Sequence, residues 1–286
     1  MNGPYSQIVY EVQGPAAVVT LNRPNKGNAI SMRLGVELKH ALERAENDKE
    51  IVGIVITGAG SVFCVGADVE QLQKIGRSGD VSFSDPNAGR STEDLNADPG
   101  RLEVPEGFRK GAYSYFNSVS KPVIAAINGA VAGAAMSIIL SCDMRFFAQS
   151  GFMVSAFSKR GLTAELGISW MLQRIVGIDT ALDILWSSRK VDADEAKALK
   201  LATRVYPDED VVSEAAAYIK NLAAGCSPAS IAAMKGQVYR DIFRDPTESF
   251  IESHRMQKEA LKTADFVEGI NAFMEKRKPN FAGIGK

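Results

Sequence analysis

Lys121-Pro122-Val123-Ile124-Ala125-Ala126-Ile127-Asn128-Gly129-Ala130-Val131-Ala132-Gly133-Ala134-Ala135 is the stretch on which the reading of this chain turns. Residues 122–127 form an apolar run of strand character, and the residues after Asn128 are almost all small. The pairing occurs once before. Residues 51–57 are largely β-branched without polar alternation, as in a strand covered on both faces, and Phe63-Cys64-Val65-Gly66-Ala67-Asp68 follows. Each small-residue segment reads as a strand-to-helix turn. Such a turn presents free backbone N–H groups, which favour negative charge. Two turns facing one point form an oxyanion hole, worth about 3–4 kcal/mol per donor to a transition state that gathers charge on oxygen.

Working outward, residues 8–12 and 16–21 read as two strands around Gln13-Gly14-Pro15, a hairpin signal. Ser31 caps a helix whose apolar positions Leu34, Leu38, Ala41, Leu42 and Ala45 follow the 3.6 period. This ββα-then-β rhythm recurs near Lys121. Residues 76–107 are rich in Gly, Ser, Asp, Asn and Pro. They read as a lid or partner-facing excursion, or as a disordered surface insertion, with a helix resuming over 108–119. Residues 135–140 have no polar face and predict a buried helix. Residues 144–148 and 151–155 read as strands. From Trp170 the pattern is helical almost to the end, with helices over 247–263 and 265–278, the last carrying Phe266, Ile270 and Phe273. Pro228, Pro246 and Pro279 mark helix starts or stops. The class is α/β, with a core over residues 1–205 and a helical C-terminal region over 206–286 that serves oligomer contacts.

The chain has 286 residues, 45% apolar and 23% charged, with a formal net charge of -1. That balance leaves no electrostatic footprint for nucleic acid, and no polybasic run suggests an anionic membrane. The longest apolar runs are too short to span a bilayer. Cys64, Cys142 and Cys226 are far apart and have neither metal nor disulfide spacing, which fits a reducing compartment. Residues 1–7 do not read as a secretory signal, nor Ile284-Gly285-Lys286 as a peroxisomal address. The expectation is a cytoplasmic protein. His40 and His254 fall among charged residues on amphipathic helices and read as solvated, so neither a Ser-His-Asp hydrolase nor a His-ligated metal site is expected.

These residues resemble the crotonase, or enoyl-CoA hydratase/isomerase, superfamily. The likeness runs through Leu21-Asn22-Arg23-Pro24 with Asn28-Ala29-Ile30, then Phe63 to Asp68, then Lys121 to Gly129. It continues through Ser141-Cys142-Asp143, Gly161-Leu162, Arg174-Ile175-Val176-Gly177 and Phe273-Met274-Glu275-Lys276-Arg277. The resemblance implies a crotonase-like spiral of ββα units with a helical C-terminal trimerisation region. It implies a homotrimer or dimer of trimers that binds an acyl-CoA thioester, with no permanent cofactor and CoA entering as part of the substrate. The thioester oxygen would sit between the N–H groups of Ala67 and Ala134, whose side chains must be small where ligand meets backbone. Lys26 is implied as a CoA phosphate contact, and Val65, Gly66, Asp68 and Gly133 as turn residues along CoA. Arg23 has a structural part. Phe273 and Lys276 match tail positions that reach CoA from a neighbouring subunit, or else serve as packing and a solvated charge.

Hydratases of this resemblance use two glutamates, because adding water needs a base on the water and an acid for the carbon. Their positions fall on Ser137 and Phe157 here, and neither can do this work. Glu165, in Gly161-Leu162-Thr163-Ala164-Glu165-Leu166-Gly167, matches the acidic residue that serves as base in members that move a double bond. One carboxylate is enough for that. Asp68 reads as a helix cap and Asp143 as structural. Glu165 has its own alternative, an exposed loop carboxylate capping the next helix. Met136, Ser137, Phe157, Leu162 and Trp170, with Phe152, Met153 and the 76–107 loop, are expected to shape the substrate pocket, and its apolar part to raise the Glu165 pKa. The expected activity is conversion of a 3-enoyl-CoA to a 2-enoyl-CoA. Another thioester reaction, such as hydration or hydrolysis, and a non-catalytic acyl-CoA-binding role stay open.

Overall fold

A computed structural model describes residues 5–68, 73, 76–78, 95 and 97–281. β1 (Ile8–Gln13) and β2 (Ala16–Leu21) form the expected hairpin, pairing from Ile8↔Leu21 to Gln13↔Ala16. Its turn needs the left-handed backbone of Gly14, at φ 60°. β2 then lies parallel to β3 (Gly53–Gly58), and β5 (Val123–Ile127), β7 (Met144–Ala148) and β10 (Arg204–Tyr206) extend the sheet in the order β1-β2-β3-β5-β7-β10.

β3 and β5 lack polar alternation because helices cover both faces. On one face Ile54, Ile56, Val123, Ala125 and Ile127 join the main core with α1 (Met32–Asn47) and α3 (Ala135–Ser141). On the other, Val55, Ile124, Ala126 and Phe146 meet Val211, Ala215 and Ile219 of α7 (Val211–Gly225). The approach is close: a Cβ on Gly53 would lie 2.8 Å from Ile219 Cγ1. The strand β10 straddles the 205/206 division expected between core and tail.

A second sheet, in the order β4-β6-β8-β9, is built of three-residue strands: β4 (Val62–Cys64), β6 (Ala130–Ala132), β8 (Phe152–Val154) and β9 (Lys190–Asp192). β3 leads to β4, β5 to β6 and β7 to β8. The small-residue segments are therefore not simple turns off the large sheet, as expected. Each first adds a strand to the second sheet. Strands this short carry no readable period; β8 nonetheless falls within the strand expected over 151–155, while β9 and β10 lie hidden in a tail read as helical almost to the end.

The helix expected over 108–119 is instead α2 (Glu106–Arg109) and a 3-10 turn, Ser114–Ser118. Between them Ser114 Oγ donates to Phe108 O at 2.8 Å, a local side-chain bond that competes with a continuous helix. The 76–107 excursion and the helix expected after Asp68 lie largely outside the described residues. Ser31 Oγ caps α1 by accepting from Leu34 N at 3.1 Å, and all five periodic residues of that helix are buried. The chain continues through α4 (Ile168–Val176), α5 (Ile178–Ser187), α6 (Ala193–Ala198), α8 (Pro228–Asp241), α9 (Pro246–Ala260) and α10 (Ala264–Met274). Pro228 and Pro246 open α8 and α9 behind the caps Ser227 and Asp245. Among the described residues no helix is long and apolar enough to cross a membrane.

Buried charges fasten these layers. Glu37 of α1 accepts from the backbone N–H groups of Ser6, Gln7 and Ile8 and from Arg33, which ties the start of β1 to the helix. Lys121 donates to Ala45 O and Asp48 O at 2.7 and 2.6 Å, which ties the approach to β5 to the end of α1.

Candidate active site

After β4 the chain passes Gly66 at φ 92°. Gly66 O accepts from Ile30 N at 2.8 Å, and Asp68 N donates to Ile30 O at 3.2 Å. The N–H of Ala67, between them, has no partner among the described residues. After β6 the chain turns at Gly133, φ 53°, whose N–H donates to Val154 O at 3.1 Å. Ala134 O accepts from Ser137 N, while the Ala134 N–H likewise has no described partner. The turns touch: a Cβ on Gly66 would stand 2.6 Å from Ala132 O and 3.2 Å from Ala134 N. Only glycine permits both that contact and that φ. Two unpaired N–H groups on adjoining turns can hold an oxygen that gathers negative charge.

The loop before α1 is bolted to the first turn. Arg23 donates to Ala29 O and pairs with Asp68 Oδ2 at 3.0 Å. Asn28, fully buried at φ 55°, donates to Ala59 O and Val62 O. Val65 N donates to Gly27 O at 3.0 Å, and the Val65 side chain is 40% exposed beside Lys26, itself exposed on a 3-10 turn. Asp68 is thus engaged by Arg23. Burial pushes the Cys64 thiol up to about 12, which keeps it a neutral packing group.

Glu165 lies on a loop bounded by Gly161 and Gly167, at φ 68° and 77°. Its side chain does not cap α4, whose N-cap is Gly167 with no side-chain bond, so the capping alternative is set aside. The carboxylate has no hydrogen bond or ion pair with a described residue, and it remains open to solvent. Desolvation by its neighbours raises its pKa above the usual 4.5.

Beside it opens a cavity of about 430 Å³. Leu166, Gly167, Trp170 and Met171 line one side, the α2 region with Phe108 another, and Phe243, just past α8, a third. Met171 also touches the helix that follows Ala134, through Ser141 Oγ at 3.5 Å from its sulfur. Of the pocket residues expected from sequence, Trp170 lines this cavity. Pro105 and Gly107, from the 76–107 loop, line it as well. Met136 and Ser137 are fully buried, Phe157 is 4% exposed in the core, and Leu162 is 47% exposed; none of these four, nor Phe152 or Met153, lines it. Ser137 Oγ is spent on Ala134 O at 2.7 Å. The sequence places Trp170 at the start of a helix; Leu166, at φ 54° on the loop before it, and Phe243 carry no signal of lining a cavity. Phe273, 80% exposed, and Lys276 stand at the outer end of α10. Asp143 accepts from Val123 N, Lys235 and Tyr239, a structural knot. His254 is exposed, but His40 is half-buried and hydrogen-bonded to Tyr5 OH at 2.9 Å, so it is not a wholly solvated residue.

The profile of the enoyl-CoA hydratase/isomerase family matches residues 11–95 and 102–284. The chain belongs to the enoyl-CoA hydratase/isomerase family. Among its relatives in this family, a probable enoyl-CoA hydratase of Rhodobacter capsulatus is 35% identical over 280 residues, covering 98% of this chain and 99% of the relative. The 1,2-epoxyphenylacetyl-CoA isomerase of Escherichia coli is 28% identical over 277 residues, covering 96% and 98%. A crystal structure of a probable enoyl-CoA hydratase/isomerase from Mycobacterium abscessus superimposes with a TM-score of 0.82 at 25% identity, covering 98% and 100%. The ββα spiral is thus the crotonase fold. Family members carry both hydratase and isomerase names, so the choice of reaction rests on the residues.

Proposed function

We propose that this enzyme moves the double bond of a 3-enoyl-CoA thioester to the 2-position, with Glu165 as its single base. One observation carries the reading: the two positions where a hydratase places carboxylates hold Ser137, its hydroxyl tied to Ala134 O, and Phe157, packed in the core. Hydration needs an acid and a base; a double-bond shift needs one group that takes and returns a proton. Glu165 removes a proton from C2, and the electron pair runs into the thioester carbonyl, giving a dienolate. The N–H groups of Ala67 and Ala134 stabilise its oxygen. The same carboxyl returns the proton at C4, so no atom is gained or lost. A raised pKa brings Glu165 closer to working pH as a base and as an acid.

CoA enters as part of the substrate and runs past Lys26 and Val65 along the Gly66 and Gly133 turns. The C-terminal helices form the assembly surface of a homotrimer or dimer of trimers. Met234 and Val238 of α8, Phe250 and Ile251 of α9 and Val267 and Phe273 of α10 are all more than half exposed, an apolar area that a second copy would cover. The free thiols of Cys64, Cys142 and Cys226 fit a reducing, cytoplasmic setting.

The test mixes purified protein with a 3-enoyl-CoA and follows absorbance of the conjugated thioester, with Glu165→Ala and 2-enoyl-CoA hydration run alongside. Conjugation that is lost in the variant, with negligible hydration, is the expected result. Robust hydration, or conjugation that survives in Glu165→Ala, would overturn the assignment.

A further inference from the structure

The cavity beside Glu165 has features that bear on which acyl group the enzyme accepts. Its described lining includes no charged side chain. The one hydroxyl among these residues, on Ser114, is already donated to Phe108 O at 2.8 Å. A carboxylate on the acyl tail would lose its water there and find no cation among the lining residues to pair with, only the Trp170 indole N–H as a side-chain donor. At about 430 Å³ the cavity is at the small end of ligand pockets, which span roughly 300–1,000 Å³.

One wall comes from the C-terminal region. The Phe243 ring stacks on Trp170 with centroids 5.6 Å apart and planes 5° from parallel, and it meets Phe108 edge-on at 5.6 Å. The Arg174 guanidinium covers the Trp170 ring at 3.7 Å. The helix before Phe243 is held to the core. Lys235 pairs with Asp143 at 2.7 Å and donates to Phe116 O and Lys121 O. Tyr239 OH donates to the same Asp143 at 2.8 Å, and its ring packs edge-on against Phe108 at 5.8 Å. Phe243 follows one turn later, so α8 carries a ring to a fixed place at the cavity wall. Gly107 of α2 also lines the cavity and leaves an open slot: a Cβ there would meet nothing within 4 Å.

We infer that the site accepts an unsubstituted hydrocarbon acyl group of medium length, and that Phe243, delivered by α8, sets the length limit. The inference rests on the reading of Glu165 and the two turns as the reacting end. Without that reading the cavity has no defined mouth. Each methylene buried against these rings gains about fourfold in affinity until the chain meets Phe243.

The experiment measures binding of saturated acyl-CoAs from butyryl to palmitoyl by titration calorimetry, for the unmodified protein, Phe243→Ala and Gly107→Leu. Adipoyl-CoA is compared with hexanoyl-CoA. Phe243 is 53% exposed, so its truncation leaves the fold intact. Expected are an affinity that climbs and then stops at medium length, a limit moved to longer chains in Phe243→Ala and to shorter ones in Gly107→Leu, and adipoyl binding at least about tenfold weaker than hexanoyl. A limit identical in all three proteins, or equal binding of adipoyl and hexanoyl, would overturn the inference. Saturated esters cannot isomerise, so the two readings fail separately. A movable limit without turnover of any 3-enoyl-CoA sinks the isomerase assignment alone; turnover with an unmoved limit sinks the pocket assignment alone.

Discussion

Glu165 has no described partner for its carboxylate, and partial desolvation of this solvent-open group by its neighbours raises its pKa. A base must be ionised, so kcat/KM is expected to fall as pH drops through that raised value. The acidic limb should have its midpoint above the usual 4.5. Replacing Glu165 by Gln should remove the limb and lower kcat by about 10²–10⁴-fold. A rate profile from pH 4 to 9 on a 3-enoyl-CoA reads both. Gly66 makes a different demand. Its φ of 92° and the 2.6 Å approach to Ala132 O leave no room for a methyl group. Gly66→Ala should push the two turns apart and lower kcat about 100-fold, with a smaller change in KM, since each oxyanion donor is worth that much. Steady-state kinetics beside a circular dichroism check on the fold would decide it. Both residues stood out in the sequence. The engagement of Ser137 Oγ by Ala134 O did not, because a back-bonded hydroxyl looks the same in sequence as a free one.

The pairing of a long strand with a three-residue strand builds the site. β3 to β4 and β5 to β6 deliver two turns side by side because β4 and β6 are parallel neighbours in the second sheet. The long strands were legible from their unbroken apolar runs. Of the three-residue strands only β8 was legible, within 151–155; β4, β6, β9 and β10 were not, since three residues show neither period 2 nor period 3.6. α8 shows the same limit. Its start was marked by Pro228, but nothing local said that Lys235 and Tyr239 would reach Asp143, 92 and 96 residues away in sequence. Lys235→Ala leaves the Asp143 carboxylate without its cation, in a pair whose side chains are 7% and 17% exposed. The expected loss is about 3 kcal/mol, read by urea unfolding. Hydrogen exchange should quicken first in α8, while exchange in β3 and β5 changes least. Equal quickening throughout would mean that the pair supports the fold globally instead of holding this helix.

At the size of the whole molecule, charge and exposed apolar area make separate predictions. Burial alone would raise the Glu37 pKa, but hydrogen bonds from Arg33, Ser6 and Gln7 outweigh it and hold the carboxyl below the usual 4.5. A carboxyl lowered in the folded state stabilises at pH above 4.5, and that contribution is lost as pH falls through the folded value. Melting temperature should therefore drop as pH goes below 4.5, and Glu37→Gln should be less stable at neutral pH with a shallower acid dependence. Calorimetry across that range tests the sign. For assembly, Val238 is 65% exposed in the middle of the α8 stripe. Light scattering should give three or six chains per particle, and Val238→Asp should shift the mass toward one. A single chain for the unmodified protein would refute the assembly.

The α/β class and the paired small-residue turns could be read from sequence because each depends on neighbours in the chain: apolar runs and glycines at forced φ. Glu165 as the base came from the family resemblance, which marks Ser137 and Phe157 where a hydratase has glutamates. The second sheet, the spent hydroxyl of Ser137 and the Phe243 wall of the cavity depend on contacts between distant segments. Those contacts are set by how the layers pack against one another, and no local pattern encodes them.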